Sequence, residues 1–331
     1  VHGYQASIVR EATRIVAVVA VGFIAANARN ATPLRLAAIV AAALAVPVGV
    51  AVVQFALNLA NFGPQNSADF YRVSGTFVQA NKAAQVFVLG AAIGGWMWVA
   101  RGDRLAGALL AGGSLIALLG TRSMGGLLAL VAAAIAYLVL APTTSPRARG
   151  IVIGVVVLSL LVFAISPLGA SRIEALQEIR LPWDVVGRTN NSVEWRLYNW
   201  WLFLGEWWRE PILGHGLGTT LTIVRPIGLV THSDPVRILV EGGLVGAAVV
   251  GLGLVAVTGA TRRALRAAAA LRGPGSTLVL VITAFLLGIG VQSLAQNTST
   301  NTALLFLLVA LLASQWAEPA RRAPAADPSP S

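Results

Sequence analysis

The chain has 331 residues, of which 56% are hydrophobic and only 11% charged, with a mean hydropathy of +0.76. A soluble chain carries roughly a quarter charged residues, so water is not its main solvent, and repeated apolar runs near the ~20 residues that cross a bilayer predict a multi-span all-α membrane protein. No cysteine is present, which excludes disulfides and thiolate chemistry, and the net charge of +11 is read as topology-setting loop arginine rather than nucleic-acid binding.

The N-terminus, VHGYQASIVREATR, lacks the basic region, apolar core and small-residue cleavage site of a signal peptide. Nine spans are predicted, at 15–28, 36–57, 83–100, 105–120, 124–141, 151–168, 235–260, 277–294 and 302–316. Pro47 in the second is tolerated as a kink. A polar loop covers 58–81, a long amphipathic loop covers 169–231, and a polar hairpin covers 295–301. The single transmembrane domain then covers 1–317, and the proline-rich tail 318–331 is expected to be disordered and cytoplasmic. Arg29/Arg35, Arg101/Arg104, Arg147/Arg149, the cluster from Arg262 to Arg272 and Arg321/Arg322 all fall on one side, which the positive-inside rule makes cytoplasmic. The polar loops then share the outer face. An odd span count would also translocate an N-terminus carrying Arg10 and Arg14, which suggests that further spans precede it. Glycines such as Gly242 and Gly246 are expected to pack helices closely through small-xxx-small contacts.

Polarity that could carry chemistry concentrates in those loops. Asp234-Pro235 reads as a helix start, with Asp as the N-cap and Pro at the first helical position. His232 lies just outside, where the positive helix end disfavours protonation and attracts anions. It reads either as a proton acceptor or as an interfacial cap. Arg237 and Glu241, four apart, share a helix face. NSVEWRLYNWWLFLGEWWREP holds five of the nine tryptophans and reads as a helix in the headgroup plane, an anchor that also carries Arg196. PILGHGLGTT reads as a tight turn at the membrane surface, with His215 a turn residue; no strand precedes it, so it is no dinucleotide fingerprint. Arg72 in the first polar loop and Lys82 and Arg122 at span ends share one face; they read either as snorkelling side chains or as the convergent cations that diphosphate recognition would want. Gln292, Gln296, Asn297 and Asn301 suit either a sugar site or hairpin solvation. The three histidines show no metal-ligand spacing.

These residues together resemble the O-antigen ligase and O-antigen polymerase superfamily. His232, Ser233, nine residues and then Gly243-Leu-Val-Gly246 look like the family's histidine block. Arg196 with Trp200, followed by PILGHGLG, resembles its arginine–tryptophan–PxxGxGxG block, RVSGTFVQAN its Gly-x-Phe-x-x-x-Asn loop and TRSMGG its Ser-Arg-Gly-type helix start. The blocks keep the family's order over roughly residues 70 to 260.

The resemblance implies a glycosyltransferase in the cytoplasmic (inner) membrane of the cell envelope, active on the periplasmic or outer side. The donor would be an undecaprenyl-diphosphate-linked oligosaccharide or polysaccharide and the acceptor a lipid or glycan, with no metal and no cofactor. His232 would be the general base, and Arg196, Arg122, Arg72 and Lys82 would hold the donor diphosphate, with Arg237, Glu241 and Asn81 in support. Lipopolysaccharide ligation and polysaccharide polymerisation are both compatible with these blocks. A lipid-linked glycan transporter and a non-catalytic envelope scaffold are the competing classes. Charges at span ends rather than at mid-membrane favour the enzyme.

Overall fold

The computed structural model describes residues 2–28, 30–59, 72–141, 145–165, 174, 179–184, 191–221, 231–269 and 273–322. Arg29, Arg272 and half of the loop at 58–81 lie outside the described residues, as do large parts of the loop at 169–231.

Among the described residues the architecture is helical. Ten α-helices follow in order: α1 (His2–Asn27), α2 (Pro33–Ala56), α3 (Ala80–Trp96), α4 (Arg104–Gly120), α5 (Met124–Leu140), α6 (Pro146–Ile165), α7 (Ser192–Trp207), α8 (Asp234–Ala269), α9 (Pro274–Ser293) and α10 (Thr302–Arg322). Five stretches are long and apolar enough to cross a membrane: α2, α3 with its π-helical extension to Arg101, α6, α8 and α9. The helices at Arg104–Gly120, Met124–Leu140 and Thr302–Glu318 are apolar but shorter. α1, which carries Arg10, Glu11 and Arg14, falls in neither group, although it contains nearly all of the predicted first span. α10 runs on to Arg322, past residue 318 where the tail was expected to begin.

The five long apolar stretches fall on the second, third, sixth, seventh and eighth predicted spans, and the breaks between helices are chemically marked. Thr32 caps α2, its side chain accepting from the Arg35 N–H, with Pro33 in the first turn. Ser123 caps α5 by accepting from Gly126 N–H at 3.2 Å. The core lies among α2, α3, α4, α5, α9 and α10, where Phe87, Leu89, Ile93, Leu118, Phe285 and Leu311 are fully buried. α3 and α4 cross in backbone contact, since a Cβ on Gly94 would lie 2.5 Å from Ala111 N and one on Gly107 2.5 Å from Trp98 N.

The expected small-residue contact at Gly242 and Gly246 is not made. A Cβ on Gly242 would meet open space, and one on Gly246 only the Ile238 carbonyl of its own helix. The close approach falls instead on Gly243, whose φ of 60° and ψ of −158° break α8 into a short first piece and a long second one.

The two ends of the bundle separate as the alternation of spans requires. At one end, Trp96 Nε1 donates to Pro274 O at 2.8 Å, joining the end of α3 to the start of α9 near Arg101. An apolar cavity of about 400 Å³ opens above this junction between α3, α4, α5, α6 and α9. The start of α3, the end of α4, the starts of α5 and α8 and the end of α9 meet at the other end, around the hairpin that links α9 to α10.

Candidate functional site

The hairpin of residues 295–301 is the hub of this second end. Ala295 O accepts from Arg196 Nε at 3.2 Å. Gln296 packs against α5, since a Cβ on Gly125 would lie 2.9 Å from its Nε2. Asn297 Oδ1 accepts from Thr231 Oγ1 at 3.0 Å, and Thr298 Oγ1 accepts from Gln85 Nε2 at 3.3 Å. Ser299 donates its N–H to Asp234 at 3.0 Å and its hydroxyl to the same carboxylate. Its carbonyl accepts from Arg14. Thr300 O accepts from Lys82 Nζ at 3.4 Å, and Asn301 Nδ2 donates to Gln85 Oε1 at 2.7 Å. Gln292, Gln296 and Asn301 are buried, and Gln292 Nε2 donates to Gln296 Oε1 at 2.7 Å. The hairpin amides therefore hold helices together rather than face solvent.

His232 stands beside this hub, partly buried, with φ +47°. The left-handed region is uncommon for a residue with a Cβ, and residues held there cluster at functional sites. Arg122 shares the feature at φ +52° and is exposed. Burial, with the positive charge of Arg196 second, lowers the His232 imidazole from its usual value to about 4. Desolvation and a guanidinium thus act in the direction that the sequence assigned to the helix end. The cap differs. Ser233 precedes α8 and its Oγ accepts from Val236 N–H at 3.4 Å, while Asp234 turns to Ser299.

The predicted cations fall into three groups around the hub. Arg196 shares its surroundings with His232. Arg72 donates from Nε to Thr121 O at 2.8 Å and from its terminal nitrogen to Asn81 Oδ1 at 2.7 Å, so this pair ties the RVSGTFVQAN loop to the residue before Arg122. That loop is further seated on α2, where Gln54 Oε1 accepts from Gly75 N–H at 2.8 Å. Gly75 has φ +59°, and a Cβ there would lie 2.7 Å from Pro47 O. Lys82, Arg237 and Glu241 form the third group together with Glu11 and Arg14 of α1, which the sequence reading did not single out. Arg237 pairs with Glu241 at 3.1 Å and with Glu11 at 3.0 Å, and Glu11 pairs with Arg14. Glu241 also accepts from Thr220 Oγ1 at 2.5 Å. Lys82 feels the charges of Arg14, Glu11 and Arg237.

Two glycine-rich blocks meet at the break in α8. His215 N–H donates to Val240 O at 2.8 Å and Gly216 N–H to Glu241 O at 2.9 Å, while Leu244 N–H donates to Pro211 O at 2.9 Å and Val245 N–H to Ile212 O at 3.1 Å. The loop thus satisfies the carbonyls and amides that the break exposes. His215 Nε2 lies 2.9 Å from Glu206 O, which closes the turn back on α7. α7 packs Phe203 with Val236 and Val240 of the first piece of α8, and Trp195, Trp200 and Trp207 pack against this cluster. Trp201 and Trp208 remain exposed. The tryptophan helix is therefore more than an interfacial anchor: it carries Arg196 and supports the start of α8.

Among the described residues no group of three or more His, Asp or Glu side chains converges as a metal site would. The end of the bundle so built presents a neutral histidine beside a guanidinium, with further cations one helix away. That combination can accept a proton next to a bound anion.

A search of curated proteins finds no match to this chain. A family model described as O-Antigen ligase matches residues 106–251. The match contains Arg122, Arg196, His232, Arg237 and Glu241, and leaves Arg72, Asn81 and Lys82 outside. Over those residues the chain is similar to the O-antigen ligase family, which supports the resemblance to the O-antigen ligase and O-antigen polymerase superfamily.

Proposed function

We propose that the protein transfers a glycan from an undecaprenyl-diphosphate-linked donor to a hydroxyl of a lipid or glycan acceptor, at the outer face of the cytoplasmic membrane. The observation that carries this reading is the pairing of His232 with Arg196: a half-buried imidazole kept neutral by desolvation and by an adjacent guanidinium. A base in that state accepts a proton, and a cation beside it attracts the diphosphate whose leaving the reaction requires. The acceptor hydroxyl gives its proton to His232 as its oxygen bonds to the anomeric carbon. The bond from that carbon to the phosphate oxygen breaks, and the diphosphate leaves with the electron pair. Arg196 and Arg122 stabilise that leaving charge. Arg72 with Asn81, and Lys82, hold the loops that frame the donor and add positive potential. The outer-face placement rests on Arg101/Arg104, Arg147/Arg149 and Arg262, Arg263 and Arg266, whose helix ends are opposite to this site.

Ligase and polymerase share this chemistry and differ in the acceptor. In liposomes containing the purified protein, labelled undecaprenyl-diphosphate glycan is expected to be consumed, with undecaprenyl diphosphate released, when acceptor is added in the presence of a chelator. Transfer to a lipid acceptor identifies a ligase, and growth of the donor glycan identifies a polymerase. A donor left intact with both acceptors contradicts the proposed function.

A further inference from the structure

The histidine-bearing start of α8 is mechanically separate from the rest of that helix. Gly243 interrupts it, so residues 234–242 form a piece of about two turns. Helix continuity with the long membrane-spanning part therefore does not fix the direction in which His232 points. Something else must hold a short helix that follows a residue at φ +47°.

Side chains at three points do so. Asp234 is tied to Ser299 of the hairpin, Thr231 to Asn297, and Arg237 reaches across to Glu11 in α1, 226 residues away in the chain. Glu11 is in turn paired with Arg14, whose guanidinium donates to the carbonyl of the same Ser299. α1 and the hairpin thus grip the piece from two sides and are joined to each other. The grip is charge-balanced, with Glu11 and Glu241 against Arg14 and Arg237, and Glu11, Arg237 and Glu241 are all buried. Burial opposes the charge on Glu11, but Arg237 and Arg14 outweigh it and hold its carboxyl below the usual carboxylate value. Buried ion pairs of this kind add little net stability over apolar packing, because desolvation offsets the attraction. Their directional hydrogen bonds do fix geometry.

We propose that Glu11 and Arg237 are positioning residues: through their buried ion pair, the N-terminal arm of α1 locks the first piece of α8 and so sets the orientation of His232 for proton transfer. The proposal rests on the reading of His232 as the base, but the lock itself can be measured without transfer. A misplacement of about 1 Å at a catalytic group costs on the order of 10²-fold, so loosening the lock is expected to act on the chemical step.

The test uses the full chain reconstituted in liposomes, with Glu11→Gln as the near-isosteric variant. Its kcat is expected to fall at least tenfold while the donor KM stays within twofold, since Arg196 is untouched. Arg237→Lys, which keeps the charge but loses the fork that reaches both carboxylates, is expected to fall between wild type and Glu11→Gln. The ¹⁵N-imidazole titration of His232, assigned against His232→Ala, supplies a readout independent of transfer: its midpoint is expected to rise in Glu11→Gln as the piece loosens and hydrates. An unmoved titration in a folded Glu11→Gln protein overturns the lock, whether or not the protein transfers glycan. An unchanged kcat, or a donor KM raised in step with the loss of kcat, overturns the positioning role. Absence of transfer in the wild type with a shifted titration would instead defeat the proposed reaction and leave the lock standing.

Discussion

At φ near +50° a side chain's Cβ crowds the neighbouring backbone, at a cost of about 1–3 kcal/mol that the surroundings must offset. His232 and Arg122 both carry that cost, and both lie in blocks that resemble the family's functional motifs. His232 is singled out in the sequence by the family resemblance and by the cations expected on its face, since a lone histidine at the mouth of an apolar helix reads equally as an interfacial cap. Its electrostatics are not legible there, since they depend on Arg196, 36 positions earlier in the chain, arriving beside it. A pH prediction follows from those surroundings. Proton acceptance needs the neutral imidazole, so the transfer rate should hold level above its midpoint and decline only as pH falls through about 4. A free imidazole would already fail near the ordinary ~6.5. Arg196→Gln removes the repelling charge, so the acid limb should move to higher pH while donor affinity drops. A pH–rate profile and a donor-binding isotherm on that variant check both. An acid limb that stays in place would separate Arg196 from His232.

Among the elements, α8 shows where reading the sequence stops. Its apolar run is unbroken across Gly242 to Gly246, so a single straight span was the natural expectation. The break at Gly243 exists because residues 211–216 exchange four backbone hydrogen bonds with residues 240–245, and no local pattern encodes a partner on another element. Gly243 lies in backbone space reserved for glycine, and a Cβ there would strike the Ile212 carbonyl. Gly243→Ala should therefore lower the thermal midpoint of the solubilised protein and cut transfer strongly. Gly242→Ala, which meets open space, should leave both close to wild type. Equal effects of the two substitutions would remove the crossing from the account. The hairpin of residues 295–301 carries a similar lesson. Its polar composition was visible, but the bonds that tie its residues to Arg196, Thr231, Gln85, Asp234 and Lys82 are a property of the assembled end.

For the molecule as a whole, hydropathy places the helices and arginine placement separates the two ends, because both are summed signals that survive without knowing any contact. Which helices touch is another matter: Glu11 and Arg237 stand in segments that sequence reading treats as unrelated, and only the fold brings them to 3.0 Å. The same holds for Lys82, whose ammonium donates to Thr300 O near that ion-pair cluster, far from it in the chain. The resulting account has one catalytic claim at its centre, that His232 takes the acceptor's proton at a site whose arginines have already bound the donor. The most direct test compares wild type with His232→Ala in the same liposomes, measuring donor binding and glycan transfer side by side. The account predicts donor affinity within about twofold and a transfer rate reduced by about 10²–10⁴-fold, the usual contribution of a general base. Transfer at the wild-type rate in His232→Ala would contradict it.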